Sequence, residues 1–194
     1  MSSTPSRMIP LGTIAPKFEL TDGLSSTKKN LNTLKGSSGT LIVFICNHCP
    51  YVIHLLKHWV NYSNELLKKK INTIAISSND VQNYPEDNPK LMKKLSLKYN
   101  FKFPYLYDHN QEVAKKYDAA CTPDFYLFDK NNSLFYRGRY DKSRPNNSEI
   151  LDGLDLKNAV ELMINNKKLQ TTQYPSLGCN IKWKKGNEPD CFSS

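Results

Sequence analysis

Thr40-Leu41-Ile42-Val43-Phe44-Ile45-Cys46-Asn47-His48-Cys49-Pro50 is the stretch that decides how this chain folds. Thr40 to Ile45 is short, rich in β-branched residues and apolar at successive positions, the pattern of a strand covered on both faces. Beyond the cysteine pair and Pro50, the residues Val52, Ile53, Leu55, Leu56, Trp59, Val60, Leu66 and Leu67 recur at helical spacing. The period predicts an amphipathic helix closed by Lys68, Lys69 and Lys70, cations that offset the negative end of the helix dipole. Ile71 to Ser77 then reads as a second buried strand. Strand, helix and strand in this order form a βαβ unit, so the two strands are expected parallel, with a right-handed crossover.

Working outward, Asn88-Pro89 is a helix start, a capping side chain followed by a proline at the first position. Leu91, Met92, Leu95 and Tyr99 carry that helix. Phe103 to Tyr107 reads as extended and Gln111 to Tyr117 as a short helix. Phe125 to Asp129, the polar turn Lys130-Asn131-Asn132 and Ser133 to Tyr140 predict an antiparallel hairpin. A last helix starts at Asp155 and carries Leu156, Val160, Met163 and Ile164. From Leu169 onward no period is visible. The expectation is one α/β domain over residues 1–168, a mixed sheet with helices on both faces, and a tail over 169–194 packed on it or frayed from it.

Composition limits the function classes. Leu, Ile, Val and Phe make up 47 of the 194 residues, enough for a folded core in a polar chain. The net charge is +9, yet 23 of the 27 basic residues are Lys and only four are Arg, and they are dispersed along the chain. Nucleic-acid readout favours the planar guanidinium and a clustered basic face, so a solvated lysine-rich surface is the better reading. The longest aliphatic or aromatic run is Leu41 to Ile45, too short to span a bilayer. Residues 1–10 hold one Arg and no apolar stretch, so no secretory leader and a cytoplasmic location are expected.

The five cysteines are Cys46, Cys49, Cys121, Cys179 and Cys191, an odd number that does not suit a secreted disulfide scaffold. Cys46 and Cys49 stand where a strand hands over to a helix, next to the unpaired N–H groups of the first turn. Those groups favour a thiolate, the species that attacks disulfides and peroxides. Two intervening residues let the second sulfur reach the first. Asn47 and His48 would tune the couple, a protonated His48 stabilising a neighbouring thiolate. Zinc ligation by Cys46, Cys49, His54 and His58 is the rival reading of the spacing. Nine residues of helix rise about 13 Å, whereas ligands of one zinc lie within about 4 Å of each other. No metal and no cofactor are therefore expected. No acidic residue precedes the pair on the strand, so no buried carboxylate base is evident.

Further pieces give a resemblance. Leu11-Gly12-Thr13-Ile14-Ala15-Pro16-Lys17-Phe18-Glu19-Leu20, Leu34-Lys35-Gly36, Phe44-Ile45, the Cys46–Pro50 site and Thr122-Pro123 ahead of a strand stand in the order seen in one group. In this combination the chain resembles the redoxins of the thioredoxin superfamily, in a branch close to the peroxiredoxins, and Gly178-Cys179-Asn180-Ile181-Lys182-Trp183 is similar to that branch. The resemblance implies a thioredoxin fold with a mixed sheet, and a cis-proline turn at Thr122-Pro123 facing the thiols. It implies Cys46 and Cys49 as the catalytic pair and Asn47, His48, Thr122 and Pro123 as substrate contacts. Thioredoxin-like reductases attack with the first cysteine, here Cys46. In peroxiredoxins the peroxide-reactive cysteine aligns with Cys49, but their Thr is replaced by Cys46 and their Arg by the Thr122-Pro123 region.

Three functions follow in order of preference: a thiol–disulfide oxidoreductase, a thiol peroxidase with Cys49 reacting and Cys46 resolving, and a redox-sensing or metal-holding protein. The partners expected are a protein or small-molecule disulfide, or a peroxide, with an external thiol as reductant. Cys121 and Cys179 are candidates for additional redox roles. Each is more simply a packed residue, and Cys191 near the terminus is expected to be without a role.

Overall fold

The structure, a computed structural model, describes residues 3–169 and 172–189, so Cys191 lies outside the described residues. In chain order its elements are β1 (Thr4–Pro5), β2 (Glu19–Asp22), β3 (Lys28–Asn30), α1 (Leu31–Leu34), β4 (Gly39–Phe44), α2 (Pro50–Leu66) and β5 (Ile71–Ser77). They continue with α3 (Pro89–Lys98), β6 (Tyr105–Tyr107), α4 (Glu112–Lys116), β7 (Cys121–Thr122), β8 (Asp124–Asp129), β9 (Leu134–Gly138), α5 (Leu154–Ile164) and β10 (Leu177–Asn180).

Seven strands form one mixed sheet in the order β3-β2-β6-β5-β4-β8-β9. β4 pairs in parallel with β5, and β5 with β6, while β8 runs antiparallel to β4. This is the expected βαβ unit followed by the hairpin. The central strand β4 is buried at all six positions because its side chains alternate between two cores. Leu41 and Val43 point with Phe125 and Leu127 towards α2, α3 and α5, where Trp59, Met92 and Val160 pack. Ile42 and Phe44 point with Tyr126 and Phe128 to the opposite face, covered by Leu31, Val113, Ala114 and Tyr117. Helices on both faces explain why the strand reads as an unbroken apolar run.

The strands β2 and β3, Glu-Leu-Thr-Asp and Lys-Lys-Asn, were not visible as elements, because short polar edge strands carry little period of their own. A second departure concerns the tail. β10 is the middle strand of a separate three-stranded sheet, β1-β10-β7, with Thr4 opposite Gly178 and Cys179 opposite Thr122. It is tied down further by Ile181 N–H to the Ala120 carbonyl at 3.1 Å. The Lys182 N–H also donates to Asn79 Oδ1 at 2.9 Å. Backbone pairing and these polar bonds place it, which no apolar period could announce. Among the described residues, no helix is long and apolar enough to cross a membrane.

Candidate active site

The junction between β4 and α2 sets the two sulfurs. Cys49 is the N-cap residue of α2, extended at φ −66° and ψ 123°, and Pro50 occupies the first helical position, where a missing N–H leaves nothing unsatisfied. Below the pair passes the Thr122–Pro123 segment, whose peptide bond is cis. Thr122 meets both cysteines: its Oγ1 lies 3.3 Å from Cys46 Sγ, and its carbonyl accepts from Cys49 Sγ at 3.1 Å. On the far side of Thr122 runs β10, which sets Cys179 opposite Thr122 and in the same buried cluster as Cys46 and Cys49.

This setting separates the two acidities. The Cys46 thiol, then the side chain and backbone of Cys179 and the Val52 amide, act in favour of the Cys49 anion; the Val52 N–H itself donates to the Cys49 carbonyl at 3.0 Å. Burial opposes ionisation, but the donors prevail and Cys49 is lowered to about 5. The Thr122 carbonyl favours the thiol form of Cys49 and works against the anion; the donors around the sulfur outweigh it. Cys46 moves the other way, well above the ordinary thiol value. Donating to Cys49 is the largest cause, followed by burial and the nearby Asp87 carboxylate. Cys179 is raised to about 12 by burial and by its own bond to Cys49. The surroundings thus favour ionisation at Cys49 and oppose it at Cys46 and Cys179.

The carboxylate missing from the strand before the pair is supplied from elsewhere, which corrects the sequence expectation. Asp87 is fully buried and comes from the turn after β5, a segment that reads in sequence as a mere helix-entry loop. Its Oδ1 accepts the Asn47 N–H at 2.7 Å, and its Oδ2 accepts Asn79 Nδ2 at 2.7 Å. His48 Nδ1 lies 2.8 Å from Oδ2, a close contact without hydrogen-bond alignment. The His48 ring stacks on Tyr84 at 5.9 Å, with 5° between planes. His48 is therefore turned to the carboxylate. Asn47 is pinned as well, donating to the Glu86 carbonyl at 2.8 Å and accepting from Tyr105 OH at 3.2 Å. Asn79 and Tyr105 are residues of this site that sequence reasoning missed, while Tyr84 and Asp87 belong to a stretch, Tyr84-Pro85-Glu86-Asp87, that in sequence could be a substrate lip but is explained by a helix-entry loop. The acidic pair Glu86-Asp87 was the only signal, and nothing local marks which carboxylate is buried.

The two sulfurs are also closed to solvent: Cys46 keeps 1% of its surface and Cys49 none. Thr122, β10 and the Tyr84–Asn88 turn cover them, all brought in from distant sequence. Cys121 is also fully buried; its Sγ lies 3.8 Å from the Pro123 carbonyl, with its acidity strongly suppressed by burial. His54 and His58 do not join the site: His54 Nε2 lies 2.7 Å from Ser143 Oγ, and His58 Nδ1 lies 2.7 Å from Tyr140 OH. Among the described residues one trio, Cys46, His48 and Asp87, brings ligand-type atoms within 4.8 Å of one another. The Asp87 oxygens already accept from the Asn47 N–H and from Asn79 Nδ2, while His48 Nδ1 makes no aligned hydrogen bond and Cys46 Sγ meets Thr122 Oγ1.

A cysteine at the head of the first long helix, a partner cysteine with two residues between them and an adjacent cis-proline segment, all on a mixed sheet of this order, define a thioredoxin-fold redoxin. The AhpC/TSA family model matches residues 11–137, and the chain belongs to that family. An uncharacterized conserved protein from Geobacillus kaustophilus is similar over 95% of this chain and 97% of its own, at 45% identity and a TM-score of 0.92. A hypothetical protein from Sinorhizobium meliloti 1021 is similar at 40% identity, over 94% of this chain and 100% of its own, with a TM-score of 0.91. The thioredoxin domain of a thiol-disulfide oxidoreductase from Bacteroides vulgatus shares the fold at 19% identity. That match has a TM-score of 0.62 and covers 81% of this chain and 100% of the other. No curated protein gives a significant match. Family and fold together put the chain among thiol-dependent oxidoreductases in the broad sense.

Proposed function

We propose that the chain is a thiol–disulfide oxidoreductase whose Cys46 and Cys49 cycle between a thiol–thiolate pair and a disulfide. The observation that carries this reading is the Cys46–Cys49 pair at the head of α2, with both sulfurs meeting Thr122 of the cis Thr122–Pro123 segment, at 3.3 Å and 3.1 Å, in surroundings that lower Cys49 to about 5. Cys49 is accordingly the first nucleophile, where the order of the two in sequence favours Cys46. Its thiolate attacks one sulfur of a substrate disulfide and expels the other as a thiolate. Cys46 then loses its proton and attacks the Cys49 sulfur, which closes the Cys46–Cys49 bond and releases the substrate in its reduced form. An external thiol returns the pair to the dithiol. Asn47, His48, Thr122 and Pro123 line the substrate approach in this reading, and a cytoplasmic location with its thiol pool belongs to the same proposal.

A hydroperoxide as oxidant is the second reading, and the burial of both sulfurs favours it. Two oxygen atoms need far less opening than a protein disulfide does. Cys49 would become a sulfenic acid, and Cys46 would condense with it, releasing water.

Mass spectrometry of oxidised wild type, Cys46→Ser and Cys49→Ser tests both. The wild type is expected to lose two hydrogens within residues 36–57, and Cys49→Ser is expected to lose none. A Cys49→Ser protein that still forms a mixed disulfide or consumes peroxide as the wild type does overturns the assignment of Cys49.

A further inference from the structure

We infer that Cys179 is a third redox residue of this site, a resolving thiol that forms a disulfide with Cys49 as an alternative to Cys46. The inference rests on the reading of Cys49 as the reacting sulfur.

The placement of Cys179 is built by the fold. Cys179 sits opposite Thr122 in the β10–β7 pairing, and the carbonyl of that same Thr122 faces the Cys49 sulfur. The close approach depends on Gly178: a Cβ there would stand 2.0 Å from the Thr122 carbonyl oxygen, so any larger residue drives β10 away. Asn180 and Lys182 hold the other end of the strand. The Lys182 N–H donates to Asn79 Oδ1 at 2.9 Å, and the Lys182 carbonyl accepts from Gln111 Nε2 at 2.9 Å. Asn79 in turn bonds Asp87, so the strand bearing Cys179 and the loop bearing Cys46 share one polar network. Thr122 thus stands between the three: its Oγ1 meets Cys46 Sγ, its carbonyl meets Cys49 Sγ, and Cys179 is its partner across the strand pair, all three cysteines lying in one buried cluster. Cys179 retains only 5% of its surface, so its reaction partner is intramolecular.

The exchange balances without an outside oxidant. Starting from the Cys46–Cys49 disulfide, the Cys179 thiolate attacks the Cys49 sulfur. The Cys49–Cys179 bond forms and the Cys46–Cys49 bond breaks. Cys46 leaves as a thiolate and takes up the proton that Cys179 gave away. No electrons are gained or lost overall. Starting from a Cys49 sulfenic acid made by a hydroperoxide, Cys179 condenses with it and releases water. In both cases the redox state leaves the Cys46 loop and reaches β10 of the β1-β10-β7 sheet.

Trypsin separates the three cysteines, because residues 36–57 carry Cys46 and Cys49 and residues 169–182 carry Cys179. The full-length Cys46→Ser protein is treated with hydrogen peroxide and digested without reduction. The expected result is a cross-linked peptide joining 36–57 to 169–182 as the main product. In Cys46→Ser/Cys179→Ser, which keeps a hydroxyl to donate to Cys49, dimedone should instead trap a Cys49 sulfenic acid. If Cys179 only donated a hydrogen bond, the two variants would give the same trapped species. Cys46→Ser with Cys179 still open to alkylation after denaturation overturns the inference, provided that the wild type forms its Cys46–Cys49 bond. A wild type that forms no such bond overturns the underlying reading of the pair instead.

Discussion

Cys49 and Asp124 flank the cis Thr122–Pro123 bond, neither has exposed surface, and their acidities move in opposite directions. Cys49 is lowered to about 5 and Asp124 is raised to about 8. Burial penalises the charged form in both. At Asp124 it is the largest influence, because Tyr126 OH at 2.9 Å and the Ala120 and Phe125 amides reach the carboxyl while Oδ1 finds no partner. At Cys49 the donors from Cys46, Cys179 and Val52 together exceed the burial penalty. The lesson is that depth alone does not set the charge of a buried acid. The donors aimed at it do.

The comparison can be broken most sharply at the sulfur. Cys49→Ser should abolish oxidant-driven disulfide formation completely, read as an unchanged thiol count after oxidation. Next in size is the pH dependence of stability. Between about pH 4 and pH 8 the folded chain holds the Asp124 proton that the unfolded chain has lost, so this group lowers stability as pH rises. Cys49 acts the other way: between about pH 5 and pH 9 the unfolded thiol holds a proton that the folded sulfur lacks, so its contribution grows with pH and is lost as pH falls towards 5. Each group can contribute a slope of up to about 1.4 kcal/mol per pH unit. Asp124→Asn should therefore become more stable from pH 5 to pH 8, and Cys49→Ser less stable, while the wild type stays between them. Urea unfolding at the two pH values reads the difference, and equal slopes in all three proteins would discard the contrast.

Smaller effects sharpen the picture on the thiolate side. Gly178→Ala should cost about 1–3 kcal/mol in urea unfolding, since the new Cβ meets a backbone oxygen that cannot swing aside. Smaller again, Cys46→Ala removes the principal donor to Cys49. The thiolate absorbance near 240 nm should then titrate about one pH unit higher, as the loss of one hydrogen bond to a charged group implies. An unmoved midpoint would mean that Cys179 and the amides suffice.

Much of this was legible in the chain itself. The apolar run from Leu41, the helical spacing after Pro50 and the hairpin around Lys130-Asn131-Asn132 are local patterns, and the structure has β4, α2, β8 and β9 there. Asn88 caps α3 through a 3.1 Å bond from the Leu91 N–H, as the Asn-Pro pair signals. β10 and Asp87 were not legible. Leu177–Asn180 has no period, and its position depends on strands that lie far away in sequence. Asp87 looks like any acidic residue before a helix, and its burial is created by Asn47 and Asn79 coming to it.

By itself, then, the order of residues determined which sulfurs stand at the head of the long helix and which sheet carries them. That information lies in period, capping and spacing, all of which act over a few residues. Only the tertiary structure decided which sulfur its surroundings favour as the anion, how deeply it is buried, and that a third cysteine lies in the same cluster. Those properties belong to groups that the folded chain brings together from about a hundred residues apart, and hydrogen bonds to a buried charge exist only once water has been replaced by such neighbours.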